Sequence, residues 1–187
     1  MISAFSPRLT NRQNRCEFLR MTAEIQQALE RLAKAGWSVE FQRERSSLKA
    51  EILRRYEWMP LDLLDFFCEV KMVCSPDERA WFLTGEDFNE SNGFAFAWNE
   101  WERLSLEAAR DDQDEAWAQE IREFWDGRLP IFTSVKSGYA YFALDKKGRE
   151  VVRGEEPVFE ETSPLAGSFA ELLGTMAEND SRFERWV

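Results

Sequence analysis

The stretch from Ile131 to Arg153 holds three short apolar runs separated by two tight turns, and it constrains the fold more than any other part of the chain. Ile131 to Val135 leads into a Lys-Ser-Gly turn, Tyr139 to Leu144 follows, and Asp145-Lys-Lys-Gly148 turns the chain into Glu150 to Arg153. Connections this short join antiparallel neighbours, so the segment predicts a three-stranded meander. An isolated ribbon of that kind is not stable in water and needs a further apolar layer.

Helical periodicity elsewhere provides that layer. Phe18, Met21, Ile25, Ala28, Leu29 and Leu32 predict a helix from about Cys16 to Ala35, capped by Asn14 and closed by Gly36. Trp37, Val39 and Phe41 alternate with polar residues as in a half-buried strand. Ser47 opens a second helix through Leu48, Ile52, Leu53 and Tyr56. Pro60 suits the first turn of a third, in which Leu63, Leu64, Phe66, Phe67 and Val70 face inward and Asp62, Asp65 and Glu69 outward. Residues 80–83 read as a short strand, and Phe94 to Trp98 alternates like another, although Trp98, Trp101, Leu104 and Ala108 also keep helical spacing. Asp111 or Asp112 begins a helix with Trp117, Ile121 and Phe124 on one face, ended by Gly127, and Trp125 lies beside that stripe. Ser168-Phe-Ala-Glu171 is a capping-box pattern that opens the last helix. Residues 178–187 form a tail of lower order, with Phe183 and Trp186 able to dock back.

Charge is unevenly distributed. Residues 1–55 carry a net charge of +5 and residues 56–187 a net of −16, within a total of −11. Residues 85–126 concentrate thirteen acidic side chains against three basic ones, together with four of the eight tryptophans. A body this acidic argues against nucleic-acid binding, because phosphates would be repelled. The arginines Arg8, Arg12, Arg15, Arg20, Arg43, Arg45, Arg54 and Arg55 are expected to pair with the protein's own acids. The simplest account of the composition is an acidic, soluble protein.

The chain has no histidine, which removes Ser-His-Asp and Cys-His nucleophile activation and histidine-containing zinc sites. Cys16, Cys68 and Cys74 are odd in number and form no C-x-x-C pair, which suits free thiols in a reducing, cytoplasmic compartment. No signal-peptide core or membrane-length apolar run is present. Neither a calcium-binding loop nor a phosphate-binding glycine loop occurs, so no metal site and no cofactor is expected.

The order of the elements carries a family likeness. Trp58-Met59-Pro60-Leu61-Asp62-Leu63-Leu64-Asp65-Phe66-Phe67 matches an "LP-x-x-hydrophobic" helix start, with Met59 for the leucine. Residues 129–145 match an "IPF…G-x-Y-x-x-x-D" meander, and residues 168–173 match an "SF-x-x-hydrophobic-L" last helix. Over about residues 47–177 the chain resembles the SUKH superfamily, which includes the yeast cell-wall assembly regulator and many bacterial immunity proteins. It departs from that pattern at Glu69 to Cys74, where the usual asparagine-glycine loop is missing. The resemblance implies an α+β fold in which helices pack against a curved, largely antiparallel sheet. Residues 1–46 would then be an N-terminal helical extension and residues 178–187 a tail. It also implies protein binding without catalysis, with bacterial members neutralising toxins, often nucleases.

The candidate partner-binding residues follow from charge and aromatic content: Glu86, Asp87, Glu90, Trp98, Glu100, Trp101, Glu102, Asp111, Asp112, Asp114 and Glu115. Glu86, Asp87 and Glu90, placed in a loop beside Gly85 and Gly93, are the acids least accounted for by helix stability. A solvated helix face explains roughly half of the cluster. The expected partner is a basic protein; the patterns set no oligomeric state. A regulatory or scaffolding module is the second reading. The third is a carboxylate-dependent hydrolase built on Glu100 and Glu102, which would share a face at about 7 Å if they lay on a strand.

Overall fold

The computed structural model describes residues 21–90, 96–178 and 180–187. Seven strands form one open sheet: β1 (Ser38–Phe41), β2 (Val70–Cys74), β3 (Ala80–Phe82), β4 (Arg128–Ser134), β5 (Ala140–Asp145), β6 (Val151–Glu155) and β7 (Val158–Ala166). They lie side by side in chain order, every pair antiparallel. Seven helices are described: α1 (Ala23–Lys34), α2 (Ala50–Arg55), α3 (Leu61–Glu69), α4 (Gly85–Phe88), α5 (Glu100–Asp111), α6 (Glu115–Asp126) and α7 (Phe169–Ala177). The fold is α+β with a curved antiparallel sheet.

Strand β5 explains why there are two layers of helix. Ala140, Phe142 and Leu144 enter the larger core, whereas Tyr141 and Ala143 enter a second, smaller one. Successive side chains point to opposite faces, so a strand apolar at every position must be covered on both sides. Helices α1, α3 and α7 bury their apolar stripes in the larger core, and α5 with α6 cover the opposite face. Phe82, Phe132 and Phe142 stand directly opposite one another across β3, β4 and β5, with ring centroids 5.0 and 4.5 Å apart. Phe66 from α3 and Phe169 from α7 close onto Phe82 at 6.3 and 6.1 Å. Contacts of this kind add to area burial and bind sheet to helices. Pro130 sits in a central strand only because the β4 register shifts between Pro130 and Phe132, which relieves the missing N–H donor.

Several expectations need correction. Met21 and Thr22 are not helical, and α1 begins at Ala23 because the Thr22 side chain accepts the Ile25 N–H at 3.4 Å; Asn14 and residues 16–20 lie outside the described residues. Residues 21–46 share the single large core with the rest: β1 pairs with β2, α1 packs on α7, and Trp37 meets Phe82 at 6.2 Å. The end of the chain is likewise docked, since Phe183 and Trp186 are buried against Phe142 and the Ser134 hydroxyl donates to the Trp186 carbonyl at 2.7 Å. Asp65 points inward, not outward, where Arg45 binds both it and Glu69. Between Glu69 and Val70, α3 passes directly into β2 with no loop. The expected strand at 94–98 does not form among its described residues, 96–98, while Val158–Ala166 adds an edge strand, β7, beside β6.

Candidate partner-binding surface

The acid-rich segment folds chiefly as the α5–α6 hairpin. Trp101, Ser105 and Ala109 on α5 and Ala118, Ile121 and Trp125 on α6 form its inner face. Trp101 stacks on Phe159 with centroids 5.1 Å apart, and Trp125 packs on Tyr141 at 4.8 Å. The chain reverses through Asp112, Gln113 and Asp114. Gln113 takes a left-handed φ of 57°, and the Asp114 N–H donates to the Ala109 carbonyl at 2.9 Å, which closes the end of α5. The Asp114 carboxylate then accepts the Trp117 N–H at 2.9 Å and opens α6.

These contacts divide ten of the eleven candidates into two groups; the eleventh, the half-buried Glu100, pairs with Arg103 on its own helix. The first group is held internally. Asp87, only 7% exposed, accepts the Thr84 N–H and hydroxyl at 2.7 and 3.0 Å as half of a capping box at the start of α4. Glu86 accepts from the Gln42 amide at 3.1 Å, and Glu90 pairs with Lys49 at 3.0 Å. Glu102 is only 6% exposed and accepts from both terminal nitrogens of Arg55. Trp101 is a core residue, and the half-buried Trp98 lies 5.2 Å from Phe88 under the Arg55 guanidinium. Trp125, expected beside the stripe, is fully buried, and its indole N–H reaches Glu160 at 3.1 Å. Thr84 beside Asp87 apart, the hydrogen-bonding partners of these side chains come from distant sequence.

The second group faces outward. Asp111, Asp112, Asp114 and Glu115 are all exposed at the tip of the hairpin. Asp111 and Asp112 end α5 instead of beginning α6 as expected, so they sit where the helix dipole disfavours negative charge; the N terminus of α6 beside them offsets this in part. Asp114 is a cap, and Glu115 pairs with Arg122 at 3.0 Å. Glu107 and Glu120 extend the acidic face along both helices. The carboxylates of Glu107, Asp111, Asp112 and Glu120 bond to no other described residue. Leu104, 36% exposed and one turn before Ala108, supplies an apolar centre that charge counting missed.

Arg55 fixes the hairpin to the other layer. Besides Glu102 it binds Asp126 at 2.8 Å and lies over the rings of Tyr56 and Trp98. Burial by itself would lower its pKa, but the hydrogen bonds it donates to Glu102 and the surrounding negative charge raise it, so the guanidinium stays charged. The neighbouring Tyr56 hydroxyl, whose pKa burial pushes upward, donates to the Trp125 carbonyl at 3.3 Å. The proposed hydrolase pair is separated by the same geometry. Two residues apart on a helix, Glu100 and Glu102 diverge by about 200°; Glu100 pairs with Arg103 at 3.0 Å while Glu102 turns in to Arg55.

Among the described residues, no helix is long and apolar enough to cross a membrane. No protein-family model, curated protein or solved structure matches this chain.

Proposed function

We propose that the chain is a protein-binding module that engages a basic protein through the outer face of the α5–α6 hairpin. On this reading it acts as an immunity protein does, blocking a toxin by direct contact. The carrying observation is the exposed pair Asp111 and Asp112 at the end of α5, where the dipole of that helix disfavours acids and no described residue pairs with them. A nuclease must hold phosphates in a positive site, and a rigid array of carboxylates is complementary to such a site. The order of sequence motifs shared with the SUKH superfamily supports the same reading. The free thiol of Cys74 suits the cytoplasm as the place of action.

The test is co-expression with the product of the adjacent reading frame, followed by affinity measurement. A toxic neighbour should be tolerated in the presence of the wild-type chain. It should kill again when Glu107, Asp111, Asp112 and Glu120 are changed to lysine. Protection by the reversed variant would move the contact away from the hairpin.

A further inference from the structure

The sheet face that carries the hairpin continues past it toward the β1 edge, where it holds a cleft of about 370 Å³. Cys74, Trp81, Thr133 and Tyr141 follow one another across β2 to β5 and so share this face, but no residue of α5 or α6 lines the cleft. The Trp81 and Phe96 rings stand 5.9 Å apart between centroids, inclined at 51°, and Met72 and Cys74 are among the other apolar lining residues.

Two exposed charges border the cleft, and only one of them is already paired. Lys71 is held by Glu40 at 2.8 Å. Glu78 stands in a left-handed turn with φ of 58°, and its carboxylate has no partner among the described residues. The Cys74 thiol is pushed up by burial first and then by the charges of Glu78 and Asp77, so both carboxylates act on the cleft wall. Two aromatic rings beside an unpaired carboxylate suit a cation, and a long aliphatic stem suits the apolar wall.

We propose that the cleft receives an arginine or lysine side chain of the partner protein, its stem along Met72 and Trp81 and its charged head between the aromatic rings and Glu78. This rests on the proposed function in taking the partner to be basic, but it concerns a second contact, separate from the hairpin.

The experiment follows the Trp81 indole signal by NMR in the full chain while acetyl-Gly-Arg-Gly-amide is added, with the citrulline peptide and tetramethylammonium as controls. The arginine peptide should shift the signal saturably at about millimolar concentration. Neutral citrulline should leave it unmoved, and tetramethylammonium should act more weakly. Glu78→Gln and Phe96→Leu should each weaken the arginine peptide about fivefold. A silent signal, equal response to citrulline or tetramethylammonium, or full affinity in both variants would overturn the proposal. The hairpin plays no part in this titration. A silent cleft in a chain that still binds its partner through the hairpin therefore rejects only the cleft, and a responsive cleft beside a dispensable hairpin rejects only the hairpin reading.

Discussion

Arg55 on α2 grips the carboxylate of Glu102 on α5 through both terminal nitrogens, at 2.9 and 2.7 Å, and so joins the two helical layers. A buried pair of this kind adds little over an apolar replacement, but removing one partner strands the other charge. Glu102→Gln should lower unfolding free energy by about 2–3 kcal/mol in a urea titration. Changing Arg55 to Met and Glu102 to Leu together should cost less than the sum of the two single changes. Strict additivity would show that the two residues are not coupled.

The tip of the hairpin should show a conflict between stability and binding. Replacing Asp111 and Asp112 by asparagine removes negative charge from the end of α5 and should stabilise the fold by about 0.3–1 kcal/mol. The same change should weaken partner binding. Thermal unfolding and affinity measured on one variant decide the matter, and a loss of stability would mean that the α6 N terminus dominates the local field.

Tyr141 lies across from Gly154, and a Cβ at that glycine would stand 2.5 Å from the tyrosine ring. Gly154→Ala should therefore destabilise by about 1–3 kcal/mol through overpacking. Tyr141→Phe removes only the hydroxyl that donates to the Phe159 carbonyl and should cost about 1 kcal/mol. Unchanged stability in Gly154→Ala would contradict the tight ring-to-glycine packing.

Cys74 gives a prediction in pH. Burial first, and then Glu78 and Asp77, disfavour its thiolate and raise its pKa. Only the thiolate reacts with iodoacetamide, so the alkylation profile, read by mass spectrometry on the Cys74 peptide, should have its midpoint above that of an ordinary thiol. Glu78→Gln should move the midpoint down. A profile like that of free cysteine would contradict a negative, partly dry site.

Local chemistry made much of this fold legible. The two turns flanking Tyr139 to Leu144 define β4 to β6, Pro60 marks the start of α3, and Ser168 caps α7 through the Glu171 N–H at 3.1 Å. Strand β7 escaped because its edge sequence mixes Glu160, Glu161 and Pro164 with few apolar residues. The inward turns of Asp65 and Glu102 escaped because Arg45 and Arg55 lie twenty and forty-seven residues away in sequence. Of the acids proposed from charge density, those near Gly85 proved to be capped or paired, and those at the hairpin tip remained outward.

The central claim is that the outer face of α5–α6 docks a cationic protein, and the most direct measurement is the association rate with the adjacent reading frame's product at several salt concentrations. The wild-type rate should fall steeply as salt rises from about 50 to 500 mM. The Glu107, Asp111, Asp112 and Glu120 lysine variant, folded by circular dichroism, should associate slowly at every concentration. Equal rates and equal salt dependence for the two proteins would contradict the account.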